Sequence, residues 1–299
     1  MNRFRRSYWA LTGLLVAGLL SLPAWAAGSG SGFGFSVKAH GAFSYLQASD
    51  VNTGAGSFFD YYGILAEELG YATEGGYSPL HGGYGFGADL IFSVSPRLGV
   101  GIGVGYLRSS GNSTLIIDTG TETGQIIGMS KLSAMPIRLG LFTTWPLGGK
   151  LSLIANAGAA YYADVRFESM MRVESETSDY WLEMNVAAKT SRFGNVGFQG
   201  GLGLEYALSP RMFLFFEATG RYARFENFPS ATMNLEDYEG VDFEETGRIY
   251  LETDTVPQGT LTHFLVLETE PVPDPGQTYR EPKFDFSGFA LQIGVRIRL

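Results

Sequence analysis

The chain has 299 residues, of which 30 are Asp or Glu and 21 are Lys or Arg, so its formal net charge is −9. It has no cysteine, which excludes disulfide bonds and thiolate metal sites, and its acidity argues against nucleic-acid binding. Its 41 glycines and 14% aromatic residues are an unusual pairing for a soluble domain, where glycine averages about 7%.

Residues 1–26 have the three parts of a secretory signal peptide. The arginine-rich start MNRFRR precedes an apolar run at residues 9–22, and Ala24-Trp25-Ala26 offers a cleavage site. The run is shorter than the roughly 20 residues that a membrane-spanning helix requires. We therefore expect cleavage after Ala26 and a mature domain at residues 27–299.

Eight later stretches alternate between apolar residues and small or polar ones, and this period of two predicts strands with one apolar face. The third stretch, GVGIGVGYL, places a glycine at every second position from Gly99 to Gly105. The stretches are residues 33–45, 84–94, 99–107, 137–145, 151–166, 195–208, 214–222 and 287–299.

The connections between these stretches alternate between short and long. Three are tight turns, at residues 95–97, 146–150 and 209–211. The other four cover residues 47–82, 109–126, 168–192 and 226–284. Short turns at one end and long loops at the other are the layout of outer-membrane barrels.

A soluble lipocalin-type barrel also alternates, with its apolar face turned inward. An eight-stranded lumen is too narrow for all of these apolar side chains, and soluble surfaces are normally rich in charge rather than glycine. We therefore expect the row that contains Val100, Leu204 and Ile293 to contact lipid. The predicted fold of residues 27–299 is all-β, an eight-stranded antiparallel up-and-down transmembrane β-barrel domain with long extracellular loops. We expect no periplasmic domain after it. A ten-stranded barrel that includes a hairpin at residues 247–269 is the alternative.

Aromatic residues lie near both ends of the stretches, as they do in the interfacial girdles of membrane barrels. We expect them, together with Phe286, to mark the two membrane surfaces. The predicted lipid-interface aromatics are Tyr45, Tyr84, Phe92, Tyr106, Trp145, Tyr161, Tyr206 and Tyr222.

The C-terminal stretch FALQIGVRIRL has apolar residues at alternating positions from Phe289 to Leu299. With this stretch and its alternation pattern, the chain resembles the small outer-membrane barrels of the OmpA-type and opacity-protein group. The resemblance implies that the protein resides in the cell outer membrane and contacts outer-membrane lipid. It also implies that the barrel assembly machinery recognises the C-terminal strand.

Charged residues fall on the face of the stretches that we assign to the lumen. They predict either a gated ion path or a network of paired charges that plugs the barrel, and we favour the plug because eight strands leave little aqueous bore. The predicted lumen charge network is Lys38, Asp89, Arg138, Asp164, Arg166, Glu205, Glu217, Arg221, Arg296 and Arg298.

Histidine occurs at positions 40, 81 and 263, and none of the three stands in a catalytic or metal-binding motif. Pairing of His81 with Ser78, or of His263 with Thr262, is the only basis for a barrel hydrolase. We therefore expect no enzymatic activity, no catalytic residue, no metal and no cofactor.

The long acidic loop at residues 227–283 has twelve Asp or Glu residues and three Arg or Lys residues. Its spacing does not match the calcium loop, which favours a solvated acidic loop. Within it, residues 247–269 predict a hairpin around Val256-Pro257-Gln258-Gly259. In the first long loop, residues 57–70 predict a short helix with Ser57 as its cap and Gly70 as its end.

These observations predict a structural or surface-interaction role carried by the extracellular loops, which are also where an extracellular ligand would bind. The alternative is a narrow pore or hydrophobic-solute conduit of the OmpW type. A barrel hydrolase is the third and least favoured interpretation.

Overall fold

The computed structural model describes residues 34–176, 178–190, 195–257 and 259–299. The predicted signal peptide at residues 1–26 lies outside the described residues. The helix, α1, is Ser49–Glu68. The strands are β1 (Gly34–Leu46), β2 (Ala72–Gly76), β3 (Gly82–Ser93), β4 (Leu98–Asp118), β5 (Thr123–Gly148), β6 (Leu151–Ser175), β7 (Trp181–Lys189), β8 (Val196–Ala207), β9 (Met212–Tyr222), β10 (Arg224–Phe225), β11 (Ser230–Asp237), β12 (Asp242–Val256), β13 (Gly259–Leu267), β14 (Gln277–Arg280), β15 (Phe284–Asp285) and β16 (Gly288–Arg298).

Antiparallel hydrogen-bonded pairing passes from β1 through β3, β4, β5, β6, β8 and β9 to β16, and β16 pairs with β1 in turn. We call these eight strands the circuit. Each overlaps one of the alternating stretches of the sequence. The prediction of eight strands nevertheless needs correction, because the described residues form sixteen. The additional strands lie in the long connections, where backbone groups need hydrogen-bond partners of their own.

Two short turns of the circuit share the sequence Ser-Pro-Arg and the same hydrogen bonds. The Ser95 hydroxyl accepts from the backbone N–H groups of Arg97 and Leu98. The Ser209 hydroxyl accepts from those of Arg211 and Met212 in the same way. Proline fits here because its missing N–H lies outside the strand ladder.

The long connections build a second layer at the other end of the circuit. We call the described residues of 47–81, 110–132, 163–190 and 223–287 the cap. Its strands pair in the order β2-β4-β5-β6-β7-β11-β12-β13, with β14 added to β12. The hairpin predicted at residues 247–269 forms between β12 and β13, where Val256 pairs with Gly259. This hairpin does not enter the circuit, so the strand pairing does not support the ten-stranded alternative.

Strand β6 connects the two layers by changing its partner. Up to Tyr161 it pairs with β8, and from Arg166 it pairs with β7. The pairing of β5 with β6 shifts register between Ser133 and Met135, opposite Asp164, which has φ 54°. Aspartate tolerates this left-handed conformation better than most residues. The bulge therefore bends β6 out of the circuit and into the cap.

An apolar core fills the cap, and phenylalanine dominates it. The ring of Phe284 lies 4.6 Å from that of Phe167 and 4.4 Å from that of Phe228. Phe286 is also fully buried, 6.4 Å from the ring of Tyr162. The expectation that Phe286 marks a membrane surface is therefore wrong. Phe286 follows β15, in a segment that continues the register of β16 against β9 into the cap.

The helix begins eight residues earlier than predicted, at Ser49 rather than Ser57. Ser57 does not cap it, because its hydroxyl donates to the carbonyl of Thr260 on β13 and accepts from the N–H of Thr262. At Gly54 a Cβ atom would lie 2.8 Å from the Phe264 ring, so glycine permits close packing of helix on strand. Gly70, with φ 79°, follows the helix end as predicted.

Among the described residues, no helix has the length and apolar character that crossing a bilayer requires.

Candidate functional site

The inner face of the circuit carries buried polar and charged side chains, and its outer face carries exposed apolar ones. On β9, Glu217 and Thr219 are buried, whereas their neighbours Leu214 and Phe216 are exposed. This alternation follows from strand geometry, since successive side chains point to opposite faces. The candidate site is built from inner-face residues of seven circuit strands.

Lys38 and Glu217 form the best-satisfied ion pair of this face. The Lys38 Nζ atom lies 2.6 Å from Glu217 Oε2, and the two side chains are 6% and 2% exposed. Glu217 Oε1 also accepts hydrogen bonds from the Asn156 amide and the Thr219 hydroxyl. The ammonium group lies 4.3 Å from the centre of the Phe215 ring. A buried charge needs such partners because it has lost its water.

A second buried pair joins β3 to β5. The Arg138 Nη2 atom lies 3.0 Å from Asp89 Oδ1. His40 completes the group: its Nε2 atom is 3.4 Å from Arg138 Nη1, and its Nδ1 atom is 4.0 Å from Asp89 Oδ2. All three side chains are at most 10% exposed.

The third pair lies nearer the short-turn end. Arg296 Nη2 donates to Glu205 Oε1 at 2.5 Å, and Glu205 is only 2% exposed. The Arg296 guanidinium also lies 5.1 Å from the centre of the Phe213 ring. Pairs of this kind have a large desolvation cost, which close hydrogen bonding offsets.

The remaining predicted network residues do not join these three pairs. Asp164 binds Arg166 at 2.7 Å and Lys189 at 3.0 Å, where β6 leaves the circuit. Arg221 donates to the backbone carbonyl of Phe286. Arg298 is exposed and lies against the Phe213 ring. The structure thus separates the ten predicted residues into three inner pairs and a looser set at the two ends.

Sequence reasoning missed Asn156, Thr219 and Phe215, which are neutral members of the site beside Phe142. The alternating glycines contained a signal for two of them. A Cβ atom at Gly201 would lie 2.9 Å from the Asn156 side-chain nitrogen, and one at Gly294 would lie 2.8 Å from the Phe215 ring. A large inner side chain therefore faces these glycines from a neighbouring strand.

The predicted interface aromatics lie on the outer face of the circuit. Tyr106 and Tyr161 are half-buried, while the other six are exposed. Neighbouring rings pack against each other, as between Tyr45 and Phe289 at 5.2 Å and between Phe86 and Tyr106 at 5.5 Å.

The segment that contains β15 continues β16 into the cap, between the ends of β1 and β9. The Ala48 N–H donates to the carbonyl of Asp285, and the Phe286 N–H donates to that of Ala223. Asp50 on α1 fixes this segment, since its carboxylate accepts from both terminal nitrogens of Arg280 and from the N–H of Lys283. The Asp50 carboxylate in turn raises the pKa of Arg280.

The Asp50 carboxyl group is under opposing influences. Burial, the largest of them, raises its pKa, but the hydrogen bonds from Arg280 and Lys283 and the nearby positive charges outweigh burial. The net result is a pKa below the 3.8 of a free aspartate. The ionised form is therefore the one that holds the chain before β15 against the helix.

A protein-family model described as outer membrane protein beta-barrel domain matches residues 12–244. The chain belongs to this family. It is a β-barrel protein of the outer membrane and sits in the lipid bilayer. No curated protein matches the chain.

Two of the solved structures that match the chain have low identity to it. A major outer membrane protein from Thermus thermophilus is 13% identical with a TM-score of 0.33, covering 90% of this chain and 100% of that one. The outer membrane protease OmpT from Escherichia coli is 8% identical with a TM-score of 0.37, covering 89% of this chain and 96% of that one.

The comparison with OmpT corrects one expectation from the sequence. We expected that the chain is not an enzyme, and a match to a barrel that is a protease contradicts this expectation. The expectation rested on histidine spacing along the chain, which says little about side chains that folding brings together. Neither match assigns an activity to this chain, because both TM-scores are below 0.5.

Proposed function

We propose that the eight strands of the circuit form a closed, plugged barrel of the small outer-membrane type, and that the cap stands on the extracellular side as its surface-interaction region. Exposure of Val100, Leu204 and Ile293 on the outer face supports contact with lipid. The cycle of pairing supports closure, which leaves no unpaired strand edge in the bilayer.

The observation that carries this proposal is the double obstruction of the interior. Three ion pairs and the aromatic rings packed against them occupy the inner face. The Lys38 ammonium group on β1 lies near the rings of Phe142 on β5 and Phe215 on β9. Above them, Phe284 and Phe286 are fully buried in the apolar core of the cap. Both features favour a scaffold that presents the cap over a conduit for ions.

Conductance in planar lipid bilayers tests the plug. We expect the purified, folded protein to give no single-channel steps. Steps in the wild-type protein that change size in Arg138→Ser or Glu217→Gln would contradict the proposal and favour a pore. Glu244→Gln is the matched control, because Glu244 is an exposed carboxylate on the cap strand β12.

Cysteine labelling on intact cells tests the orientation of the barrel in the membrane. The chain contains no cysteine of its own, so only the introduced thiol can react. Thr260→Cys places a thiol on the exposed end of the β13 hairpin, and Lys150→Cys places one in an exposed short turn. A membrane-impermeant maleimide should label the first variant and not the second. Labelling of Lys150→Cys alone would reverse the proposed orientation.

A further inference from the structure

Three side chains of metal-ligating type meet on one face of the cap strands β12 and β13. Glu252 on β12 pairs directly with His263 on β13, so their side chains point to the same face. Asp254 lies two residues along β12 and therefore shares that face. His263 lies on the other strand of the hairpin from the two carboxylates. Only the pairing register of β12 with β13 brings it opposite Glu252.

The distances fit a single small cation. One ligand atom from each of Glu252, Asp254 and His263 lies within 4.8 Å of the other two. His263 Nε2 and Glu252 Oε2 are 3.2 Å apart. Zinc bonds to nitrogen and oxygen of about 2.0–2.2 Å place the ligands of a tetrahedral site roughly 3.3 Å from each other. The pair is therefore spaced as two ligands of one ion are.

The surroundings orient the ligands and leave their charge uncompensated. The Tyr279 hydroxyl, on β14 across from Glu252, donates to Glu252 Oε1 at 2.6 Å and leaves Oε2 facing His263. Such hydrogen bonds to ligand carboxylates are usual around metal sites. Among the described residues, neither Glu252 nor Asp254 pairs with Lys or Arg.

Partial burial of the site strengthens its attraction for a positively charged ligand, because the surrounding dielectric is lower than that of water. His263 Nδ1 is buried and has no hydrogen-bond partner among the described residues. The site thus concentrates negative charge around a buried side chain, since Glu252 is only 8% exposed.

We propose that Glu252, Asp254 and His263 bind one divalent transition-metal ion of the zinc class, with a fourth position left to water or an external ligand. An imidazole with two carboxylates suits zinc and its neighbours, whereas calcium prefers oxygen alone. The ion would join β12 to β13 and make the hairpin end a rigid, metal-dependent surface.

Isothermal titration of the full-length folded protein with zinc chloride tests this assignment, and cobalt absorption reports the coordination geometry. We expect one saturable site with a tetrahedral cobalt spectrum. Asp254→Asn and His263→Asn should abolish it, and Tyr279→Phe should weaken zinc binding by about 10- to 100-fold, as loss of an orienting hydrogen bond does. Glu244→Gln, on the same strand, should bind zinc as the wild type does.

Folding of each variant is checked by circular dichroism and by resistance to detergent. Misfolding is then not mistaken for a loss of zinc binding. No saturable zinc binding in the wild type would overturn the proposal. Unchanged binding in His263→Asn, equal loss in Glu244→Gln, or tighter binding of calcium than of zinc would also overturn it.

Discussion

The circuit and the cap are built from the same period-two strands. The circuit exposes apolar side chains and buries charged ones, whereas the cap does the reverse. In the circuit, Ile293 is 59% exposed while Lys38 and Glu217 are buried together. In the cap, Phe284 and Phe264 are buried, and acidic residues such as Glu244 are exposed. The two arrangements meet at the bulge in β6.

The medium outside each layer explains this inversion. Lipid accepts apolar side chains and rejects charge, so the polar residues of the circuit can lie only inside it. Water around the cap reverses the preference, and burial of apolar area then drives its folding. The inner face of the circuit is thus stabilised by paired charges and the cap by aromatic packing.

The largest expected difference between the layers comes from breaking a buried ion pair. Lys38→Met should destabilise the protein by about 3–5 kcal/mol, because it leaves Glu217 buried without its positive partner. Urea unfolding from lipid vesicles, followed by tryptophan fluorescence, measures the change. In the cap, Lys131→Met breaks an ion pair with Glu168 that is partly exposed, and should cost no more than about 1 kcal/mol.

A double variant separates the charge effect from the packing effect. Lys38→Met with Glu217→Leu removes both charges and should recover most of the lost stability, since apolar residues of similar size often replace a buried pair without cost. If the double variant is no more stable than Lys38→Met, the loss comes from packing, and the account of the inner face is wrong.

An arginine introduced on the outer face should show whether lipid or water surrounds the circuit. Ile293 lies in the middle of β16, and Ile293→Arg should cost about 2–4 kcal/mol in lipid vesicles. Ile64 on α1 is 43% exposed in the cap, and Ile64→Arg should change stability by less than about 0.5 kcal/mol. Equal tolerance of arginine at both positions would mean that water, rather than lipid, surrounds the circuit.

The glycines of β4 offer a smaller test of how closely the inner face is packed. Gly103→Ala places a methyl group against Asp89 and should destabilise the protein by about 1–3 kcal/mol. Gly41→Ala is the control, because a Cβ atom at Gly41 meets nothing within 4 Å. The control should be neutral or slightly stabilising. Equal effects in urea unfolding would mean that the glycines do not make room for inner side chains.

The sequence predicted the alternating strands well because their pattern is local and their neighbours are sequential. The Ser-Pro-Arg turns and the β12–β13 hairpin follow from the same local rules. The cap could not be read in this way: α1 packs on β13, which is far away in the sequence, through Ser57 and Gly54. Likewise, Phe286 looks like an interfacial aromatic until pairing of β10 with β15 places it in the core of the cap.

The smallest expected effect concerns pH and the attachment of the cap. Because the pKa of Asp50 is below 3.8, its bonds to Arg280 and Lys283 stabilise the folded cap fully above that value. This contribution is lost as the pH falls through the folded pKa, where the carboxyl group gains a proton. The melting temperature of the wild type should therefore exceed that of Asp50→Asn at pH 6, and the difference should shrink below about pH 4. Asp60→Asn alters an exposed carboxylate of the same helix and should follow the wild-type curve. A constant difference between wild type and Asp50→Asn across this range would mean that Asp50 acts through its shape and not through its charge.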